Sequence, residues 1–132
     1  MLMTITVNFD SPLSIEEQVY QALRRVVATR EIAHGENLPT VRQLASDLGV
    51  HWTTIARAYR RLGADGLVVV RRGRGATVCA PRSESRVPAT VRARVRQKLM
   101  DAVTEARLGG MPLEQVEAAL RREIALLTGE PV

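Results

Sequence analysis

Apolar positions along the chain follow a helical rhythm in five stretches and a strand rhythm in three short ones. Ile5 to Phe9 alternate and predict a short strand or arm. A first helix opens on the capping-box pattern Ser14-Ile15-Glu16-Glu17. Ile15, Val19, Leu23 and Val26 mark its inner face, and Arg24, Arg25 and Arg30 lie outside it. The helix is expected to run to about Glu31, with His34-Gly35 breaking the chain. Thr40 and Gln43 form a second box, followed by Val41, Leu44, Ala45 and Leu48 on one face and Gly49 as a left-handed stop. Only Val50 and His51 separate this stop from a third helix over about 52–64. There Ile55, Ala58, Tyr59 and Leu62 make the core stripe, and Thr53, Arg57 and Arg60 face the other way. Asp65-Gly66 ends that helix. Leu67 to Val70 and Ala76 to Cys79 read as two strands, joined by the basic tip Arg71-Arg72-Gly73-Arg74-Gly75. Beyond a polar stretch bounded by Pro81 and Pro88, two more helices are expected. One covers about 89–108. The other follows Gly109-Gly110 and Pro112 and runs to about Thr128.

Two short helices around so tight a turn, followed by a basic hairpin, predict a winged helix-turn-helix. The expected fold is mainly α with a small β-wing. A winged helix-turn-helix DNA-binding domain covers 1–80, a linker 81–88, and a two-helix dimerisation segment 89–132. The last two helices carry one apolar stripe each, and a lone pair of helices cannot bury both. Pairing with a second copy into a C2 homodimer resolves this. Its expected interface holds Val91, Val95, Leu99, Val103, Leu120 and Ile124. The alternative is that the tail packs on its own DNA-binding domain.

Composition narrows the function. The net charge is +5, carried almost wholly by arginine, since Lys98 is the only lysine. Aromatics are 3% of the chain, so the core must be Val, Leu, Ile and Ala. A single cysteine, Cys79, excludes an internal disulfide and reads as a small core residue rather than a redox sensor. His34, His51 and Cys79 have no metal-site spacing, so neither a metal nor a cofactor is expected. No apolar run is long enough for a membrane helix, and Met1 to Thr4 have no secretory character, so a cytoplasmic location is expected and no membrane partner. No nucleophile–base pair or paired carboxylate appears. The tip 71–77 lacks the spacing and lysine of a phosphate-binding loop, which argues against an enzyme. Positive charge gathers in two places. Arg57, Arg60, Arg61, Arg71, Arg72 and Arg74 stand against Asp65 alone, and Arg82 to Lys98 stand against Glu84 alone. From Asp101 onward acids dominate.

Double-stranded DNA fits the first cluster. A helix N-terminus offers free N–H groups to phosphates, and the outer face of a recognition helix reads base edges in a major groove. Arg57 can take guanine O6 and N7; a phosphate contact or an internal ion pair is its other reading. Thr53 can meet a thymine methyl or a phosphate. Arg42, in the first turn of the second helix, can bind a phosphate or brace the turn. Arg72 and Arg74 should reach phosphates or a minor groove, with Gly73 permitting close approach. Trp52 can stack on the turn, touch the DNA backbone or meet a thymine methyl, and His51 caps or flanks the helix start.

The runs Leu38-Pro39-Thr40-Val41-Arg42-Gln43-Leu44-Ala45, Leu48-Gly49-Val50, Thr54 to Leu62, Gly66-Leu67 and Arg72-Gly73-Arg74-Gly75 resemble the GntR family of bacterial transcription regulators over roughly residues 12–79. Ala56-Arg57-Ala58-Tyr59 and the short two-helix tail look like its YtrA-type branch. The resemblance implies a homodimeric repressor on a palindromic operator. It also suggests control of an operon with transporter genes. DNA contacts carry over to Arg42, His51, Trp52, Thr53, Thr54 and Gly73, and Thr40 joins them at the start of the second helix. His51-Trp52 departs from the family, where many members carry Ser-Arg, so a different operator is expected. Nothing in the sequence names an effector, although a small molecule could sit at the dimer interface or between tail and winged domain. Two rivals remain: an architectural DNA protein without sequence preference, and an adaptor whose arginines meet an acidic protein.

Overall fold

A computed structural model describes residues 5–71, 75–79 and 87–129. The chain divides into two compact units, Met1–Pro81 and Arg82–Val132. In the first, helices α1 (Ile15–Ala28), α2 (Val41–Leu48) and α3 (Trp52–Ala64) precede strands β1 (Val68–Arg71) and β2 (Gly75–Val78). The second contains α4 (Ala89–Leu108) and α5 (Leu113–Thr128).

The core of the first unit is built from the expected stripes. Val19, Leu23 and Val26 of α1, Leu44 and Ala45 of α2, and Ile55, Ala58, Tyr59 and Leu62 of α3 are all buried together. Residues 5–8 form no strand. They run as an arm whose Ile5 and Val7 pack against the core, and Gln18 holds it by exchanging hydrogen bonds with the Asn8 backbone. Helix α1 stops at Ala28, three residues before the expected end. Arg30 turns left-handed (φ 60°), which redirects the chain so that Ile32 enters the core.

The hairpin is antiparallel, with Val68 opposite Val78 and Arg71 opposite Gly75. Both strands sit closer to the tip than the sequence suggested. Leu67 and Cys79 fall just outside them, still joined by the Cys79 N–H donating to the Leu67 carbonyl at 2.9 Å. Cys79 is therefore half-buried beyond the strand end rather than a core residue within it.

The far edge of β2 is also paired, which the sequence did not indicate. Gly35 N–H reaches Val78 O, Val78 N–H reaches Glu36 O, and Leu38 N–H reaches Ala76 O, at 2.7–2.8 Å. The segment before α2 thus serves as a third strand in all but length and ties the wing to the helix-turn-helix. Gly75 sits at this junction with φ +74°. A Cβ there would stand 3.2 Å from both the Leu38 and Pro39 carbonyl oxygens. Gly75→Ala is expected to lower the unit's stability by about 2–3 kcal/mol, through left-handed strain plus the clash. Urea denaturation should show a lower midpoint with an unchanged slope.

In the second unit, Gly109 to Pro112 turn the chain between α4 and α5, with Met111 N–H bonding back to Ala106 O. Neither helix buries a single residue. Val95, Leu99, Val103, Leu120 and Ile124 are 39–52% exposed, and Val91 is half-buried. Among the described residues no helix is long and apolar enough to cross a membrane.

Candidate nucleic-acid interface

Helix α3 presents two opposite faces. Ile55, Ala58, Tyr59 and Leu62 are fully enclosed, while Trp52, Arg57 and Arg60 are exposed and Thr53, Thr54 and Ala56 are half-buried between them. No other described element pairs with the Arg57 or Arg60 side chains through a hydrogen bond or ion pair. The helix is held against α2 by Tyr59, whose hydroxyl donates to the Pro39 carbonyl at 2.6 Å. Burial pushes the Tyr59 phenol far above its ordinary range, so this donor keeps its proton at any working pH.

Both helices that open toward this surface are capped by their own side chains. Thr40 and Gln43 form a complete capping box: the Thr40 hydroxyl accepts from Gln43 N–H at 3.1 Å, and Gln43 Oε1 accepts from Thr40 N–H at 3.4 Å. With its hydroxyl so engaged, Thr40 orients the helix start, and Arg42 stands exposed two residues on, within the first turn. Gly49 closes α2 in the left-handed conformation, as its position required. At the next helix His51 is the N-cap. Its Nδ1 accepts from Thr53 N–H at 3.2 Å and lies 2.7 Å from the Thr53 hydroxyl. The acceptor role places the proton of a neutral ring on Nε2. The Trp52 ring, 54% exposed, leans on His51 with centroids 5.8 Å apart, so it does not fill the core.

Arg61 behaves differently from its neighbours. It bonds the Glu17 carboxylate at 2.7 Å and Glu16 at 3.4 Å, and its guanidinium lies 3.8 Å from the centroid of Tyr20. The Tyr20 hydroxyl in turn donates to Asp65. Sequence reasoning grouped Arg61 with the open arginines, yet it fastens α3 to α1. Glu17 also explains why the first capping box is only half made. The Ser14 hydroxyl accepts Glu17 N–H, but the carboxylate turns to Gln21 and Arg61 instead of back to Ser14. A Glu at the box position with an arginine elsewhere was the one available signal, and it carries no long-range address.

These contacts make a pH prediction. The Gln21 hydrogen bond first, and Arg61 second, hold the Glu17 carboxyl below its ordinary 4.5. A depressed folded value means the contribution is present above about pH 4.5 and is lost as pH falls through the folded value. Tyr20 is raised by its Asp65 hydrogen bond and by burial, so its contribution is lost only as pH rises beyond 10. The thermal midpoint should fall at both extremes, and Glu17→Gln should flatten the acid limb. An unaltered acid limb would assign that fall to other carboxylates.

The expected wing contacts Arg72, Gly73 and Arg74 lie outside the described residues. Their flanks do not: Arg71 and Gly75 face each other across the hairpin, and Arg71 is exposed. Among the described residues no cluster of His, Cys, Asp and Glu is arranged to hold a metal.

Three helices, a three-residue turn opened by left-handed Gly49 and an antiparallel hairpin after α3 define a winged helix-turn-helix protein. The sequence matches the profile of "Bacterial regulatory proteins, gntR family" over residues 15–78. It is 36% identical over 115 residues to the HTH-type transcriptional regulator Mce2R of Mycobacterium tuberculosis, covering 83% of this chain and 48% of that protein. It is 31% identical over 111 residues to the HTH-type transcriptional regulator YhcF of Bacillus subtilis, covering 84% and 79%. It is also 24% identical over 125 residues to the HTH-type transcriptional repressor YtrA of Bacillus subtilis, covering 95% of each. The chain spans about half the length of the mycobacterial relatives it matches. Its fold is shared with a crystal structure of a transcriptional antiterminator from Listeria monocytogenes EGD-e (TM-score 0.82, 24% identity, 98% and 96% covered). The DNA-binding domain of AraR, in complex with operator ORX1, matches at TM-score 0.50 and 28% identity, covering 57% of this chain and 96% of that one. The chain belongs to the GntR family of bacterial regulatory proteins and carries that family's helix-turn-helix unit, and it resembles the YtrA-type members.

Proposed function

We propose that the chain is a homodimeric repressor, acting in the cytoplasm, that binds a palindromic operator. The outer face of α3 reads the major groove and the basic tip 71–75 lies on the flanking backbone. One observation carries this reading. Arg57 and Arg60 point away from the core without a partner among the described residues, while Arg61, one position on, is paired inward. Arginines left open on the face opposite a sealed core stripe suit the guanine edges and phosphates of a duplex. Within this reading Arg42, Trp52, Thr53, Thr54, Arg57, Arg72, Gly73 and Arg74 contact DNA. Thr40 and His51 contribute through the helix starts they cap.

The dimer reading is supported by α4 and α5, neither of which buries a residue. Covering Val91, Val95, Leu99, Val103, Leu120 and Ile124 with a second copy contributes roughly 1 kcal/mol per half-exposed side chain, counted on both partners. A C2 pair then presents two α3 helices about one DNA turn apart, roughly 34 Å. That the operon served carries transporter genes rests on the resemblance to YtrA-type regulators alone. Selection of bound sequences from a random duplex pool tests the reading. An inverted repeat with half-sites about one turn apart is expected, and a pool that stays random would refute it.

A further inference from the structure

The first three turns of α4 are charged against their own helix. Arg92, Arg94, Arg96 and Lys98 follow a Pro88 N-cap that offers no side-chain bond, and the first turn holds no acid. Helices α1 and α5, by contrast, place Glu16, Glu17 and Glu114 where the dipole favours them. Arg92, in the first turn, opposes the macrodipole, and like charges four residues apart (Arg92 with Arg96, Arg94 with Lys98) repel. All four are exposed, and none makes an ion pair among the described residues. At 3.6 residues per turn Arg92 and Arg96 share a face with Met100, Val103 and Arg107, which bears no acid. Asp101 and Glu105 fall on the side of Arg94 and Lys98. A local rule broken twice on one exposed face marks a functional surface rather than a stabilising one.

We propose that the Arg92/Arg96 face of α4 binds the phosphate backbone of duplex DNA flanking the operator half-site. The inference rests on the operator-binding reading and extends it to the second unit. The polyanion is the one the chain already engages, and its charge complements this face. The face borders the Val95/Leu99 stripe and shares Val103 with it, so a second copy seated on that stripe leaves Arg96 at its rim and Arg92 at its edge.

The test uses the full chain, Arg92→Gln with Arg96→Gln, and two duplexes. One is the selected operator trimmed to its half-sites, and the other is extended by about 10 bp on each side. The unaltered chain should bind the extended duplex more tightly. The double variant should lose that preference, and its slope of log K against log salt should fall by up to about 2 per protomer. Its thermal midpoint without DNA should hold or rise, since a repulsive pair has been removed. An unchanged slope and no dependence on duplex length, with operator preference still abolished by Arg57→Ala, would overturn the inference and leave the repressor reading intact. Loss of self-association in the double variant would assign the face to a second copy and overturn it equally. If the unaltered chain retains no duplex at low salt, the repressor reading and this inference fall together.

Discussion

Arg57→Ala is expected to reduce operator affinity by about 1–3 kcal/mol for each half-site, a loss of roughly 30-fold to 20,000-fold when both copies are changed. Binding to random duplex should fall far less. The reason is geometric. Arg57 is exposed in the second turn of α3, opposite the enclosed Ile55 and Tyr59, and no internal carboxylate competes for its guanidinium among the described residues. A guanidinium held open can direct two of its N–H donors to one base. Equal losses on operator and random DNA would make Arg57 a phosphate contact instead. The fold should be unaffected, because Arg61, not Arg57, fastens this helix to α1.

Leu99→Asp is the second large effect. Leu99 is 46% exposed, at the middle of the α4 stripe between Val95 and Val103. A carboxylate there would be buried unpaired in a symmetric interface, twice over, at a cost that favours the separate chains. Sedimentation is expected to give a dimer for the unaltered chain and a monomer for the variant. Operator affinity should fall by about 10²–10⁴, because two linked half-site contacts become independent ones. Affinity for a single half-site should stay the same. A variant that remains dimeric would place the interface elsewhere.

Much of the first unit was legible because local chemistry and periodicity agreed. The Thr40/Gln43 box, the Gly49 stop and the Ile55-Ala58-Tyr59-Leu62 stripe each state a boundary or a face within a few residues, and the structure has them where the sequence put them. What stayed hidden depends on distant partners. The pairing of residues 35–38 with β2 uses backbone groups, which no side-chain pattern announces. The early end of α1 follows from the need to bury Ile32, a single residue without a period. Arg61 looked like Arg57 and Arg60 in the sequence. Only the position of Glu17, more than forty residues away, separates the paired arginine from the open ones. Nothing in the sequence marks Gly75 as the point where the backbone of residues 38–40 comes within 3.2–3.4 Å of a would-be Cβ. In the second unit the stripes were plain, and their exposure is what a lone helical hairpin dictates.

The most direct measurement is competition, at physiological salt, between the selected operator and random duplex of equal length for the full chain. A preference of about 10³-fold or more is expected if the open face of α3 reads bases. A ratio near one would mean that the exposed arginines grip phosphate alone, and the chain would then be an architectural DNA protein rather than a repressor.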